Sequence, residues 1–447
     1  MLRAEGTDYT FAHDIVRQVV YGGLSQPRRV LMHRCAAEAL RRLQAADRAV
    51  DQAVVADIAR HAAAAGEHAL AATAYVQAGQ RCLQLAAFEN AAVLARRGMR
   101  HATMLPDAAR VRALLELNDI LLWSRRPTDG AQFCEEIQQL AEAALAHGCL
   151  EHAQLGFTMQ SYIRWDRGEW SDARQQMALA EAAVRSSTGE NQVEVLAQAA
   201  RCEALLEQDM DLAESYLREA QASLLPPSQP PFALIDAEAL LQRFAGQVAT
   251  AERLFQRARM LARMGRDRYG EIQALLSHCE LLYDAGRFDK ASALSQEAVA
   301  LAERSRDGSE GPYAGLLETL ARCGLGATVG EEDLRPFLSA LDDLDAKHRL
   351  TFGLNRSAQH LLTQGDAGTA LTLAQEALKL ATLLQWPGEQ LIALVSLGRS
   401  QQATGQTSAA AATQSKATHI SQTRLSAHAQ SVLATWLAEA PPPCITQ

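Results

Sequence analysis

Apolar and polar positions alternate along this chain with the period of a helix, and the stretch from Tyr269 to Leu301 shows the pattern most clearly. Two helical patterns flank a short turn, Asp284-Ala285-Gly286-Arg287-Phe288. After the turn, Ala291 and Ala298 lie seven apart on one helix face, with Leu294 between them. A helix pair of this size cannot bury its apolar stripe alone and needs a similar pair on each side.

The rest of the sequence supplies those neighbours. Taking as anchor the residue three past Phe288, comparable anchors are Ala91, Ala131, Ala173, Ala213, Ala251, Ala291, a degenerate position at Glu331, Ala370 and Ala410, about forty residues apart. Three residues before an anchor come Phe88, Trp170, Met210, Val248 and Phe288, side chains suited to plug the junction between two helices. Seven after it come Gly98, Ala180, Ala220, Ala258, Ala298, Ala377 and Ala417. Twelve before it come Gly79, Ser161, Ala239, Cys279, Ala358 and Gly398, small enough for two helix backbones to approach closely. Sixteen before it come Tyr75, Leu115, Phe157, Ile235, Leu275, Leu354 and Leu394, large enough to fill the gap. Sustained alternation of β-branched residues is missing. The expected class is all-α, a right-handed α-solenoid of about eight or nine helix pairs.

The small–large pattern of Gly79-x8-Phe88-x2-Ala91 and of Gly286-x-Phe288-x2-Ala291-x6-Ala298 resembles the tetratricopeptide repeat. The period there is 34 residues; about forty here makes each helix roughly a turn longer. The resemblance implies the longer form found in sensor domains of large bacterial signalling ATPases. The units at Ala131, Glu331 and Ala410 match least well.

Residues 1–65 fall outside the forty-residue register. Phe11, Ile15, Val19 and Val20 suggest one helix face, ended by Gly22-Gly23. Pro27 opens a second helix with a stripe of Leu31, Cys35, Ala39 and Leu43. A third runs from about Asp51 to Ala64. Phe11-x-His13-x2-Val16-Arg17, Tyr21, Arg28-Arg29-x3-His33 and His61-x4-Gly66-x2-Ala69 resemble the end of the winged-helix segment in STAND-class ATPases. In that class the segment joins a nucleotide-binding module to a helical-repeat sensor. His13 and His33 are expected to hydrogen-bond within this subdomain.

The expected organisation is therefore a helical junction over 1–65, tetratricopeptide-like repeats over 66–304, a degenerate repeat over 305–352, further repeats over 353–437 and a flexible tail over 438–447. Proline clusters between units, at Pro226-Pro227 and Pro230-Pro231, suggest a bend rather than a boundary. Glycine density makes 305–352 look irregular, with Glu331-Glu332-Asp333 placed to cap a helix.

Charge and chemistry narrow the function classes. The net charge of −9 is spread among interspersed acids and bases, without the basic stripe of a nucleic-acid binder. No apolar run is long enough to span a membrane, and the eight cysteines are scattered without a CxxC, so a reduced, cytoplasmic protein is expected. Cys134, His147, Cys149 and His152 cluster, but C-x12-H-x-C-x2-H matches no common zinc pattern. HExxH, GxSxG and GxxxxGK[ST] do not occur, and no lysine precedes Lys290. The reading is non-enzymatic, with no catalytic residue, metal or cofactor. Without a phosphate-binding loop, either Met1 is a false start within a longer gene or the chain is a true fragment.

Solenoid geometry supplies candidate binding residues. The first helix of each pair lines the concave surface, and its inner positions hold Glu116, Trp123, Tyr162, Trp165, Asp166, Asp236, Arg243, Glu280, Tyr283 and Asp284. Aromatic, arginine and acidic side chains have the composition of binding hot spots. A protein or peptide partner, or a small effector, is expected in that groove. Direct nucleic-acid or membrane binding is not; self-association through the solenoid ends is allowed. The leading reading is the sensing scaffold of a bacterial signalling or transcriptional regulator; the alternative is a free-standing adaptor assembling protein complexes. Replacing Trp165 and Arg243 by alanine is expected to abolish capture with little effect on melting.

Overall fold

A computed structural model describes residues 2–5, 8–11, 14–46, 53–85, 87–124, 127–167, 169–185, 192–224, 229–265, 267–303 and 308–439. The chain forms two compact units, 1–125 and 126–447. Strands occur only at the start of the described residues: β1 (Leu2–Glu5) pairs antiparallel with β2 (Asp8–Phe11), Leu2 opposite Phe11. Phe11, read above with a helix face, therefore lies in a strand. The aromatic and β-branched run Tyr9-Thr10-Phe11 has the composition strands favour. His13 lies outside the described residues.

In the first unit the hairpin leads into α1 (Asp14–Gly22), α2 (Gln26–Ala46), α3 (Ala53–Ala65), α4 (His68–Gln84), α5 (Phe88–Ala102) and α6 (Asp107–Ser124). From α2 onward each helix packs on the next, and α4 also meets α6. The core joins Ala37, Ile58, Ala62, Tyr75, Ala91, Leu117 and Ile120. The expected stripe on α2 is turned the wrong way. Ala37 and Leu40 face the core, while Leu31 and Leu43 are more than half exposed. Small alanines let α2 approach α3 closely, so the face carrying them packs inward rather than the face with larger side chains.

The second unit comprises α7 (Gly130–Ala146), α8 (Leu150–Asp166), α9 (Trp170–Arg185), α10 (Gln192–Leu205), α11 (Met210–Ser223), α12 (Phe232–Phe244), α13 (Val248–Met264), α14 (Arg268–Asp284), α15 (Phe288–Ala302), α16 (Glu310–Gly324), α17 (Glu331–Asp343), α18 (Lys347–Thr363), α19 (Ala367–Leu383), α20 (Pro387–Ala403), α21 (Thr407–Ile420) and α22 (Ala427–Glu439). From α8 to α21 the helices form pairs, and first helices stack on first helices: α10 on α12, α14 on α16, α16 on α18, α18 on α20. This is an α-solenoid.

The turn between paired helices explains the glycine at its centre. After α14, Gly286 takes φ +70°. Its N–H donates to Tyr283 O at 2.9 Å and the Arg287 N–H donates to Leu282 O at 2.9 Å, the two bonds of a Schellman cap. Gly365 and Gly405 repeat it. Glu207, Asp345 and Gln385 hold the same left-handed conformation with side chains, a strain of roughly 1–2 kcal/mol each.

The packing positions follow the sequence frame closely. Ala91, Ala173, Ala213, Ala251, Ala291, Ala370 and Ala410 are all buried, as are the small residues seven positions later. A Cβ on Gly98 would lie 2.7 Å from Leu117, and one on Gly398 would lie 2.4 Å from Trp436 of the closing helix α22. Two units differ. Ala131 is exposed, and Cys134 with Ala141 takes the buried places. In α17 the corresponding pair is Leu334 and Leu341, not Glu331. Both shifts are three residues, nearly one helical turn, so a longer connection moves the anchor without moving the face.

The glycine-rich stretch is helical. Gly315 on α16 leaves room for Phe337, and Gly324 receives the ring of Phe288 from the preceding pair. Here glycine density marks close helix contact rather than irregular chain. At the start of α17, Asp333 accepts from the Gly330 N–H at 3.0 Å. Residues 225–228, within the proline cluster, lie outside the described residues, as do 440–447.

Candidate functional site in the closed bore

The second unit curls until its own first helices meet across the concave side. Tyr162 of α8 bonds the Tyr269 hydroxyl of α14 at 3.1 Å, 107 positions later. Trp165 is nine-tenths buried, its ring centroid 4.0 Å from that of His348 in α18. Farther along, Gln208 donates to the carbonyls of Leu384, at 3.3 Å, and Gln385. Arg424 reaches Asp211 and Glu214 of α11. Trp165, Trp170, Leu206, Leu384 and Trp386 form one apolar cluster where the early and late pairs touch.

Charged side chains, rather than an apolar core, fill the space so enclosed. Arg356 of α18 is almost fully buried and forks to two helices at once. Its Nε and Nη2 donate to Asp284 of α14 at 2.9 and 3.1 Å, and its Nη1 donates to Glu389 of α20 at 2.7 and 2.9 Å. The guanidinium also lies 4.0 Å from the Phe352 ring centroid. Asn355 donates to Glu389 at 2.6 Å. Arg243 of α12 donates to Glu280 and, at 3.1 Å, to Asp284, and Tyr313 donates to Glu280 at 2.7 Å. His428 of α22 approaches Asp284 at 3.6 Å. A second set pairs Arg201 with Asp236 at 2.6 Å and Arg349 with Glu310 at 2.9 Å.

The electrostatics follow from burial. Burial alone would raise the Asp284 carboxyl, but Arg356, His428 and Arg243 together hold it well below the usual carboxylate range. Burial raises Asp236 in spite of Arg201, with Glu280 adding to the rise. Burial and the Glu389 charge push Glu207 up to about 7, against the pull of Ser426, Arg243 and Arg356. Glu207 lies against Gly388, where a Cβ would meet its carboxylate at 2.2 Å.

Of the residues expected to line a groove, the structure thus brings Tyr162, Trp165, Asp236, Arg243, Glu280 and Asp284 into this interior. Tyr283 is half-buried, edge-on to Phe288 at 5.3 Å, its phenol raised by burial. The side chain of Asp166 lies outside the described residues. Glu116 and Trp123 belong to α6 in the other unit. There Trp123 donates to Asp119 at 2.9 Å, and Asp119 is pushed up to about 6 by burial, with Glu116 adding to the rise. Burial overturns one expectation. Removing Arg243 would take a buried cation from Glu280, left with the Tyr313 hydroxyl, and from Asp284, left with Arg356, so its alanine variant cannot leave melting unaffected.

Sequence reasoning missed Arg356, Glu389, Arg349, Glu310, Arg201 and Glu207. A signal existed in α18, where Arg349, Asn355, Arg356 and Ser357 are all buried in a helix without a polar outer face to explain them. In the amino-terminal motif, Tyr21 bonds His33 Nε2 at 2.7 Å and His33 Nδ1 bonds His61 Nδ1 at 2.7 Å. His33 thus makes the expected local bonds. Cys134 is buried on α7, and Cys149 lies 3.8 Å from the His147 carbonyl.

No family model matches the chain, and no curated protein does. Among solved structures it is similar to a Rap protein complexed with competence and sporulation factor, at 13% identity over 82% of this chain and 99% of that one, TM-score 0.56. It is also similar to the APC/C hetero-tetramer Cut9–Hcn1, at 12% identity over 91% of this chain and 87% of that one, TM-score 0.53. A STAND protein with a tetratricopeptide repeat sensor from Pyrococcus horikoshii aligns at 14% identity over 82% of this chain and 53% of that one, with a TM-score of 0.46 that bears no further weight. These likenesses are of fold alone. With the stacked pairs they define the class: tetratricopeptide-like helical repeats forming an α-solenoid. No helix among the described residues is long and apolar enough to cross a membrane.

Proposed function

We propose that this chain is a non-enzymatic scaffold that senses a protein, peptide or small effector in the bore of its second unit. The observation that carries this reading is the bore itself. A unit held together by small-residue junctions has no structural need for Arg356, Arg243, Glu280, Asp284 and Glu389 in its interior. Apolar residues of similar volume would commonly serve stability as well or better. Such a polar interior suits exchange, in which a ligand's groups replace the chain's own partners. A ligand that favours an opened arrangement by about 1–3 kcal/mol would shift the balance between two states of the unit. That the Rap protein is complexed with a factor is in keeping with this use of the fold.

The wider setting we propose is a STAND-type signalling regulator whose nucleotide module lies outside this chain. Support comes from Tyr21, His33 and His61, motif residues of the winged-helix resemblance, which are bonded in series across α1, α2 and α3, the helices that follow the hairpin. The test uses a photo-crosslinking amino acid at Tyr162, within the bore, or at Met260, exposed on the outer face. Cross-links to a common partner from Tyr162 and not from Met260 are expected. Equal labelling at both positions, or none at Tyr162, would overturn the bore as the binding site.

A further inference from the structure

We infer that the bore takes a cationic side chain, an ammonium or guanidinium carried on a peptide, with Asp236 and Glu207 as its acceptors. The inference rests on the bore being the binding site and adds the chemistry of what enters. It begins from an imbalance. Four guanidinium groups, Arg201, Arg243, Arg349 and Arg356, face six carboxylates, Asp236, Glu280, Asp284, Glu310, Glu389 and Glu207. A further anion would worsen that imbalance, whereas a cation would correct it.

The unsatisfied acceptors show where the cation is received. Asp236 is 1% exposed and uses Oδ2 on Arg201, while its Oδ1 has no hydrogen-bond partner. A buried carboxylate oxygen without a donor is costly in a folded chain. Glu207 provides the second case. Its Oε2 is shut from solvent and likewise has no partner. Its backbone holds the left-handed conformation at φ 54°, where other turns of this chain use glycine. That carboxylate lies near Glu389, Arg243 and Arg356, with Ser426 as its hydrogen-bond partner. Both acceptors carry raised carboxyl values, as expected where negative charge lacks its counterpart.

The two acceptors are bridged by groups already paired. Glu280 faces Asp236 on one side and Arg243 on the other, and Arg243 in turn faces Glu207. Arg356 shows how the site treats such a group: guanidinium forked between carboxylates, with an aromatic ring against its face. At Asp236 a ligand cation would find an open carboxylate oxygen, with the charge of Glu280 nearby.

The experiment measures fluorescence polarisation of three heptapeptide pools, basic, neutral and acidic, against the whole chain, its Asp236→Asn and its Glu207→Gln variants. Both substitutions keep the side-chain shape. Asp236→Asn takes from Arg201 its buried carboxylate and is expected to lower the melting temperature, whereas Glu207→Gln is not, so binding is read below the melting transition of each variant. The expected result is binding of the basic pool alone, weakened at least tenfold by each variant while it is folded. Neutral or acidic peptides that bind as tightly and still cross-link to the bore would overturn the cation assignment and leave the bore reading standing. Basic peptides that bind both variants undiminished would overturn it too. Failure of every pool to bind would remove both the assignment and the bore reading for peptides.

Discussion

The inner positions of the repeat have different fates in the two units. On α6 of the first, Trp123 and Asp119 satisfy one another within a single helix, one turn apart. In the second, Asp284 is held by Arg356, which lies 72 positions away, and approached by His428 from the closing helix. The junction alanines are alike in both. Repeat spacing therefore fixes how helices stack, and says little about what the concave side does afterwards. That depends on whether stacking continues until first helices meet.

The largest test of this contrast is Arg356→Ala. It would leave Asp284 and Glu389 buried without their main partner, and should cost about 3–5 kcal/mol in chemical denaturation of the whole chain. A loss below 1 kcal/mol would mean that the bore is open and wetted, like an ordinary solenoid groove. Arg356→Met should cost less than alanine, because it keeps packing against Phe352.

Glu207→Gln comes next and has the opposite sign. Its folded-state value of about 7 lies above the ordinary 4.5. The folded chain binds that proton more tightly than the unfolded chain does, so stability is lost as pH rises from 4.5 through 7. The variant should therefore be more stable than the parent above pH 7, by about 2–3 kcal/mol, with the gap closing near pH 5. Melting curves at pH 5 and pH 8 check this. A gap of equal size at both values would show that the carboxyl is not held protonated by burial.

Much of the stacking was legible beforehand because it rests on small residues at fixed spacing. Ala91, Ala173 and Ala298 have to be small wherever two helix backbones approach, so their places show in one dimension. The register slipped at Ala131 and Glu331 because a connection changed length, and loop length is not signalled by the helix pattern. The bore was only half legible. Position within the repeat located Arg243, Glu280 and Asp284, but their pairing with Arg356 and Glu389 depends on how far the coil closes, which no short stretch of sequence encodes. Phe11 was misplaced because a four-residue strand and the first turn of a helix look alike in apolar content.

A pair of leucine substitutions sharpens the register. Ala291→Leu should overpack a junction where the residue is 1% exposed, at about 1–3 kcal/mol, whereas Ala131→Leu on an exposed surface should stay within about 0.5 kcal/mol. Equal costs would return the anchor to Ala131 and remove Cys134 from it.

The smallest expected effect compares the bore with the outer face of the same unit. Arg185 makes a fork much like that of Arg356, its Nη1 and Nη2 donating to Glu219 of α11 at 2.5 and 2.7 Å. Both side chains are more than a third exposed, so water solvates the charges and salt screens them. Glu219→Gln should cost less than about 1 kcal/mol, and that cost should vanish in 1 M sodium chloride. Under the same salt the Arg356→Ala penalty should persist, because ions cannot reach a pair sealed between α14 and α20. Denaturant midpoints for both variants at low and high salt provide the measurement. If both penalties fell together with salt, the bore would be as open to solvent as the outer face, and bond geometry alone would not distinguish the two forks.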